Sequence, residues 1–281
     1  MILSNASVPE PDRRSRPAYT IATLVNDEAQ YAQFLASFRA GGFVEPAVEF
    51  LAVRGATSAY AGLNALLAAA RGQTIILCHQ DVRLLADGRD RLDQRLAELG
   101  QRDPNWALAG NAGGAGPGRF AIRISDPHRR NHHVGALPTP VMSLDENFIV
   151  VRGDAGLSFS RDLDGFHLYG ADICLVADVL GYTAWVIDFH LEHLSPGRKD
   201  QSFAKAEVRF RAKWGRALRA RWMQTTCTLL RISGTALGRT VGSATELAAR
   251  RIVRRLPSAI KWNRPEPEAP TGALAQSVRQ P

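Results

Sequence analysis

TIILCHQDV, residues 74–82, begins as an almost unbroken apolar run and turns polar at once at His79-Gln80-Asp81. An apolar run of that length without alternation is what a strand needs when helices cover both faces of its sheet. Upstream, YTIATLV (19–25) is a second β-rich run, ending at Asn26-Asp27-Glu28. The helical stretch that follows puts Tyr31, Phe34, Leu35 and Phe38 on one face and stops at Gly41-Gly42. VEFLAV (48–53) reads as the next strand, and Ser58–Arg71 as a helix with Leu63, Leu66 and Leu67 inward. Strand, helix, strand, helix, strand within eighty residues predicts a parallel sheet flanked by helices, an α/β fold.

Downstream, a helix is expected over Asp90–Leu99 and a strand over WALAGNAGG (106–114). Residues 110–140 are rich in Gly and Pro and carry Arg129-Arg130 and His132-His133, which reads as a long functional loop. ENFIVVRGD (146–154) is a further strand, Phe166–Leu180 a helix, and TAWVIDF (183–189) a strand that leads to HLEHLSPG. After Gly197, Phe210, Trp214, Leu218 and Trp222 recur every four residues on what reads as one basic helix, with a second over Thr245–Leu256. The domain plan is therefore a disordered lead-in (1–17), an α/β domain (18–197), a basic amphipathic helical extension (198–263) and a disordered tail (264–281).

The chain has 281 residues, 45% of them apolar and 22% charged, which suits a soluble globular protein and excludes wholesale disorder. Three cysteines, Cys78, Cys174 and Cys227, lack metal-ligand spacing and argue against a disulfide scaffold. With no signal-like segment and no run of spanning length, a cytoplasmic location is expected. The net charge of +8 is uneven: residues 198–264 carry +14, whereas residues 1–197 carry −5. That segment suits an anionic partner. If its aromatic stripe faced lipid, the protein would sit peripherally on an anionic membrane at the inner face. If the stripe packed on its own domain, the arginines would be a solvated face. Nucleic acid ranks last, because no nucleic-acid-binding motif accompanies the charge.

Ligands of open α/β sheets bind beyond the carboxyl ends of the strands. The first strand delivers Asn26, Asp27 and Glu28 to that edge, and the third delivers His79 and Asp81. Asp145 precedes the strand near 146, the next helix brings His167, Tyr169 and Asp172, and the last strand leads to His193. Carboxylates and imidazoles converging on one edge suit a divalent cation, with a carboxylate to spare as base. Singly, Asp81 could terminate a strand or cap the next helix, His193 could be a structural histidine and Asp172 a helix-surface charge.

ILCHQDV (76–82), preceded by AYAGLNALLAAARG (59–72), resembles the donor-site segment of the glycosyltransferase-like family related to family 2 glycosyltransferases. Residues 144–197, with Gly-Phe-His-x-Tyr-x-x-Asp, x-x-Gly-Tyr and His-x-Ser-x-Gly in order, resemble that family's second half. The resemblance covers roughly residues 19–197 and implies a GT-A-like fold: a mostly parallel sheet flanked by helices, here with a basic helical C-terminal extension. It implies an enzyme of the hexosyltransferase type, moving a sugar from a nucleotide-diphosphate sugar to an acceptor hydroxyl with inversion. Asp81 and His193 would hold Mn²⁺ or Mg²⁺, and Asp172 would be the base. Asn26, Asp27, Glu28, Asn64, His79 and Asp81 would bind the donor, and Asp145, Glu146, His167 and Tyr169 the sugar and acceptor. The acceptor could be a glycan, a lipid-linked sugar or a protein.

The chain departs from the family pattern in two places. Arg54-Gly55 follows the second strand in place of an acidic residue, and His79 stands where the metal motif usually has a carboxylate. These departures leave a non-catalytic nucleotide-sugar or glycan-binding relative as the alternative. A sugar-phosphate nucleotidyltransferase would instead need a Gly-rich basic loop after the first strand, and Asn26-Asp27-Glu28 is not one.

Overall fold

The computed structural model describes residues 16–197, 200–224 and 229–235, with scattered positions from 237 to 252. The chain divides into two compact units, Met1–Lys213 and Trp214–Pro281. In order, the first unit carries β1 (Tyr19–Val25), α1 (Glu28–Ala40), β2 (Val48–Arg54), α2 (Ala59–Ala69), β3 (Thr74–Cys78), β4 (Val82–Leu84), α3 (Arg89–Arg102) and β5 (Trp106–Gly110). Then come β6 (Ala112–Gly116), β7 (Arg119–Ser125), β8 (His132–Val134), β9 (Thr139–Val141), β10 (Ser143–Leu144), β11 (Phe148–Arg152), α4 (Tyr169–Val179), β12 (Thr183–Val186) and β13 (Leu191–His193). Helix α5 (Gln201–Ala217) runs across the boundary between the units, and the second unit holds the hairpin β14 (Arg221–Gln224) and β15 (Leu229–Ile232).

The main sheet has the order β2-β1-β3-β11-β5-β12-β9. Strands β2, β1, β3, β5 and β12 run one way, while β11 and β9 run against them. The expected α/β architecture with a mostly parallel sheet is present. The apolar run at 74–78 is explained by alternation between two cores. Ile76 and Cys78 pack with Phe34, Phe38 and Phe148 on one face, and Ile75 and Leu77 with Tyr60, Leu63 and Ile173 on the other.

Three expectations need correction. Residues 110–140 are not a long loop: they form most of a second sheet, β10-β6-β7-β13-β4, with β8 on β7. Strand β6 (AGGAG) hides from pattern reading because glycine shows no alternation. The glycine is required, since a Cβ on Gly113 would lie 2.3 Å from the Ser143 carbonyl oxygen. The stripe Phe210-Trp214-Leu218-Trp222 is not one helix face either. Helix α5 ends at Ala217, and Trp222 lies on β14, paired antiparallel with the Leu- and Ile-bearing β15. Trp214 is buried and Trp222 is 45% exposed, so the two tryptophans do not form a common interfacial surface. Finally, the helix expected from Phe166 starts at Tyr169, because Leu168 takes a left-handed backbone with φ of 65°. Most of Thr245–Leu256 lies outside the described residues.

Candidate active site

The carboxyl ends of β1 and β3 and the start of β11 meet at one edge of the main sheet. Beyond Cys78 the chain makes a tight turn, with the His79 N–H bonded to the Asn147 carbonyl at 3.0 Å and the Val82 N–H to the His79 carbonyl at 3.2 Å. Strand β4 then pairs antiparallel with β13, placing His193 opposite Val82, and the Leu194 N–H reaches the Asp81 carbonyl at 3.1 Å. Residues more than a hundred positions apart are brought together by this pairing.

The result is a cluster of His79, Asp81 and His193, whose ligand atoms all lie within 4.8 Å of one another. His79 Nδ1 is 3.3 Å from His193 Nε2, and His193 Nε2 is 3.4 Å from Asp81 Oδ1. The Ser195 hydroxyl donates to Asp81 Oδ2 and lies 3.3 Å from His193 Nε2. Burial pushes the Asp81 carboxyl up, but the bonds from His193 and Ser195 and the two neighbouring imidazoles outweigh it and hold the group well below the usual carboxylate range. Burial, reinforced by the charge of His193, pushes the His79 imidazole below its ordinary value.

Tyr169 sets the tautomer of His79. Its hydroxyl donates to the Glu146 carbonyl at 3.1 Å, so toward His79 Nε2, 2.7 Å away, it acts as acceptor. With the hydroxyl proton on the Glu146 carbonyl, a neutral His79 carries its proton on Nε2 and presents its Nδ1 lone pair to Asp81 and His193.

A cleft of about 250 Å³ opens beside the cluster. Leu24, Ala59, Leu63 and Phe166 form its apolar wall, and Asn26, His79, Asp81, Glu146 and Tyr169 its polar wall. Gln80, also in the lining, clamps the end of β1: its carbonyl accepts the N–H groups of Asn26 (3.0 Å) and Asp27 (3.2 Å), and its amide donates to the Asn26 side chain. Half-buried Glu146 sits at the start of α4, with Oε1 accepting the Gly170 N–H at 3.2 Å. Burial chiefly, and the adjacent Asp145 charge next, push its carboxyl up to about 8 against the pull of the helix-start N–H groups. Only glycine fits at 170, because a Cβ there would lie 2.3 Å from the Leu144 carbonyl oxygen.

Of the residues expected at the site, the structure brings together Asn26, His79, Asp81, Glu146, Tyr169 and His193. Six others are committed elsewhere. Asp27 caps α1, accepting the Ala29 and Gln30 N–H groups at 2.9 and 3.0 Å. Glu28 pairs with Arg54. Asn64 holds the Phe159 backbone with both ends of its amide, at 3.0 and 2.8 Å. Asp145 turns back on its own loop, accepting the Asn147 backbone N–H at 3.1 Å. His167 lies against Ser202 at 2.9 Å and the Phe203 ring. Asp172, expected as the base, is fully buried and absent from the cleft lining. Its two oxygens take the Ser160 N–H (2.8 Å) and hydroxyl (2.7 Å), so it anchors the 157–165 segment to α4.

The fold and the site together define an α/β protein with a histidine- and carboxylate-lined cleft at the carboxyl edge of its sheet. The chain is 35% identical over 210 residues to the protein called ATP synthase subunits region ORF 6 of Fuscovulum blasticum, covering 70% of this chain and 84% of that one. It belongs to the same family as that protein. No family model matches. Among solved structures, the mannosyltransferase PcManGT of Pyrobaculum calidifontis, in complex with GDP-Man and Mn²⁺, aligns at TM-score 0.49 and 15% identity over 89% of this chain and 79% of that one. TarS of S. aureus, in complex with UDP-GlcNAc, aligns at 0.44 and 12% over 66% and 60% of the two chains. A197 from STIV aligns at 0.39 and 10% over 62% and 84%. At these scores neither activity nor ligand is transferred from them.

Proposed function

We propose that this protein is a glycosyltransferase that moves a sugar from a nucleotide-diphosphate sugar to an acceptor hydroxyl, inverting the anomeric carbon in a single displacement. The observation that carries the reading is the His79–Asp81–His193 cluster at the mouth of a cleft that also exposes Asn26 and Glu146. It is supported by motifs whose order resembles that of the family 2-related glycosyltransferases.

The cluster's donor set fits a divalent cation. Two imidazole nitrogens and one carboxylate converge within 4.8 Å of one another. A set with two imidazoles suits Mn²⁺ better than Mg²⁺, which prefers oxygen. Held by His79, Asp81 and His193, the cation would supply positive charge against the charge developing on a leaving diphosphate. Asn26, fixed by Gln80, and the apolar wall of Leu24, Ala59 and Leu63 give the nucleoside side its shape.

Glu146, and not Asp172, is the base in this reading. It lines the cleft, and with its carboxyl pushed up to about 8 it can both exist as carboxylate and hold a proton at mildly alkaline pH. It takes the acceptor's proton as the oxygen attacks. Asp172 has both oxygens occupied in the core and keeps α4 in place.

The test is thermal stability with nucleoside diphosphates, with and without Mn²⁺. Mn²⁺ should enlarge the stabilisation in the wild type, and Asp81→Ala should abolish the enlargement with the fold intact. An undiminished Mn²⁺-dependent shift in that variant would overturn the assignment.

A further inference from the structure

Residues 126–133, Asp-Pro-His-Arg-Arg-Asn-His-His, put two arginines and three histidines on a body whose first 197 residues are net acidic. Strands β7 and β8 pair with Arg123 opposite His133 and Ile124 opposite His132, so this segment is the tip of a hairpin. The tip is built. Asp126 accepts the His128 and Arg129 N–H groups, both at 2.8 Å, and closes a backbone turn with Arg129. Asn131 takes a left-handed backbone, donates its N–H to the Ser125 hydroxyl at 2.9 Å and accepts from Arg123. Arg123 in turn is held by Asp188 at 3.1 Å.

Its position matters as much as its charge. Strand β13 runs parallel to β7, with Glu192 beside Ser125, so His193 and the hairpin tip emerge at the same end of the second sheet. His128 Nε2 donates to the Pro196 carbonyl at 3.4 Å, one residue after the serine that holds Asp81. The tip thus borders the cluster on its Ser195–Pro196 side. Arg129 and Arg130 are exposed, and among the described residues neither has a carboxylate partner.

We propose that the 126–133 hairpin tip binds a phosphate group on the acceptor, with the Arg129 and Arg130 guanidinium groups as its ligands. This rests on the transferase reading and adds the class of acceptor to it. Guanidinium forks match phosphate oxygens, and a tip already fixed by its own turn loses little freedom on binding.

The probes are glycerol 3-phosphate against glycerol, and vesicles of phosphatidylcholine with and without phosphatidic acid, each with the wild type and with Arg129→Gln/Arg130→Gln. Wild type should prefer at least one phosphate probe, soluble or lipid-borne, and the double variant should lose at least ~10-fold in affinity for it. In both proteins the nucleoside diphosphate shift with Mn²⁺ should be the same. No preference for either phosphate probe, or equal binding by the variant, would overturn the inference while leaving the donor site standing. A matching loss of the nucleoside diphosphate shift in the variant would reassign the arginines to the donor and also overturn it. Absence of that shift in the wild type would instead sink the transferase reading, and with it the acceptor role.

Discussion

Glu146→Gln tests the raised carboxyl of the proposed base without any knowledge of donor or acceptor. The substitution keeps the side chain's shape and removes its titration. In the folded chain the Glu146 carboxyl holds its proton up to about 8, whereas in the unfolded chain it releases it near the ordinary 4.5. Between those values the folded state binds the extra proton, so stability falls as pH rises, by ~1.4 kcal/mol per pH unit at most, and levels off above 8. At pH 7 the upper bound is about 3 kcal/mol, and water in the open cleft should reduce it to ~1–2 kcal/mol. For a unit of this size that is about 3–6 °C in Tm. The groups acting on Glu146 are the charge of Asp145, which strengthens the effect, and the N–H donors at the start of α4, which oppose it. The hydroxyls of Tyr169 and Tyr60 stay protonated throughout, since burial raises both. The assay is Tm against pH for both proteins, which cancels every other titrating group. The two should agree near pH 4, and the Gln variant should gain steadily to pH 8. A difference that stays flat across that range would refute the buried-carboxylate account. Where transfer can be measured, wild-type rate should rise with pH toward 8, and the Gln variant should lose ~10²-fold.

Tyr169→Phe should weaken Mn²⁺ binding ~10–100-fold, because His79 loses the acceptor that keeps its Nδ1 lone pair turned toward Asp81. An unchanged Mn²⁺ midpoint in a thermal titration would remove the tautomer assignment. Asp172→Ala should cost ~1–3 kcal/mol in urea unfolding, since Ser160 is left with a buried N–H and hydroxyl unpaired. A neutral effect on stability would argue against its anchoring role.

The core strands were legible because burial on two faces writes itself as continuous apolar sequence. Ile75, Ile76, Leu77 and Cys78 each find a core, on alternating sides. The second sheet was not legible, for it depends on close approach instead of side-chain pattern. Gly113 packs against the Ser143 backbone, and a glycine-rich run that serves a strand looks in sequence like one that serves a loop. The aromatic spacing after Gly197 misled for a related reason. A four-residue period is evidence for a helix only while the helix lasts, and α5 stops before Leu218.

At the site, the sequence brought Asn26, His79, Asp81, Glu146, Tyr169 and His193 to one edge but could not rank two carboxylates, Glu146 and Asp172. Asp172 lies three residues after Tyr169, so the two share a face of α4, and both are buried. Tyrosine is long enough to span from that face to His79, 2.7 Å from its hydroxyl. Aspartate reaches one methylene less far than glutamate, and the partner it meets is Ser160. Glu146 lies on the lead-in to β11, where the chain passes the start of α4, and its longer side chain ends in the cleft. Which of them faces the ligand depends on the entry angle of α4. That angle follows from the left-handed turn at Leu168 and from the side-chain-free contact between Gly170 and the Leu144 carbonyl. Neither feature leaves a periodic trace in the sequence, so which carboxylate lines the cleft is visible once backbone geometry is known.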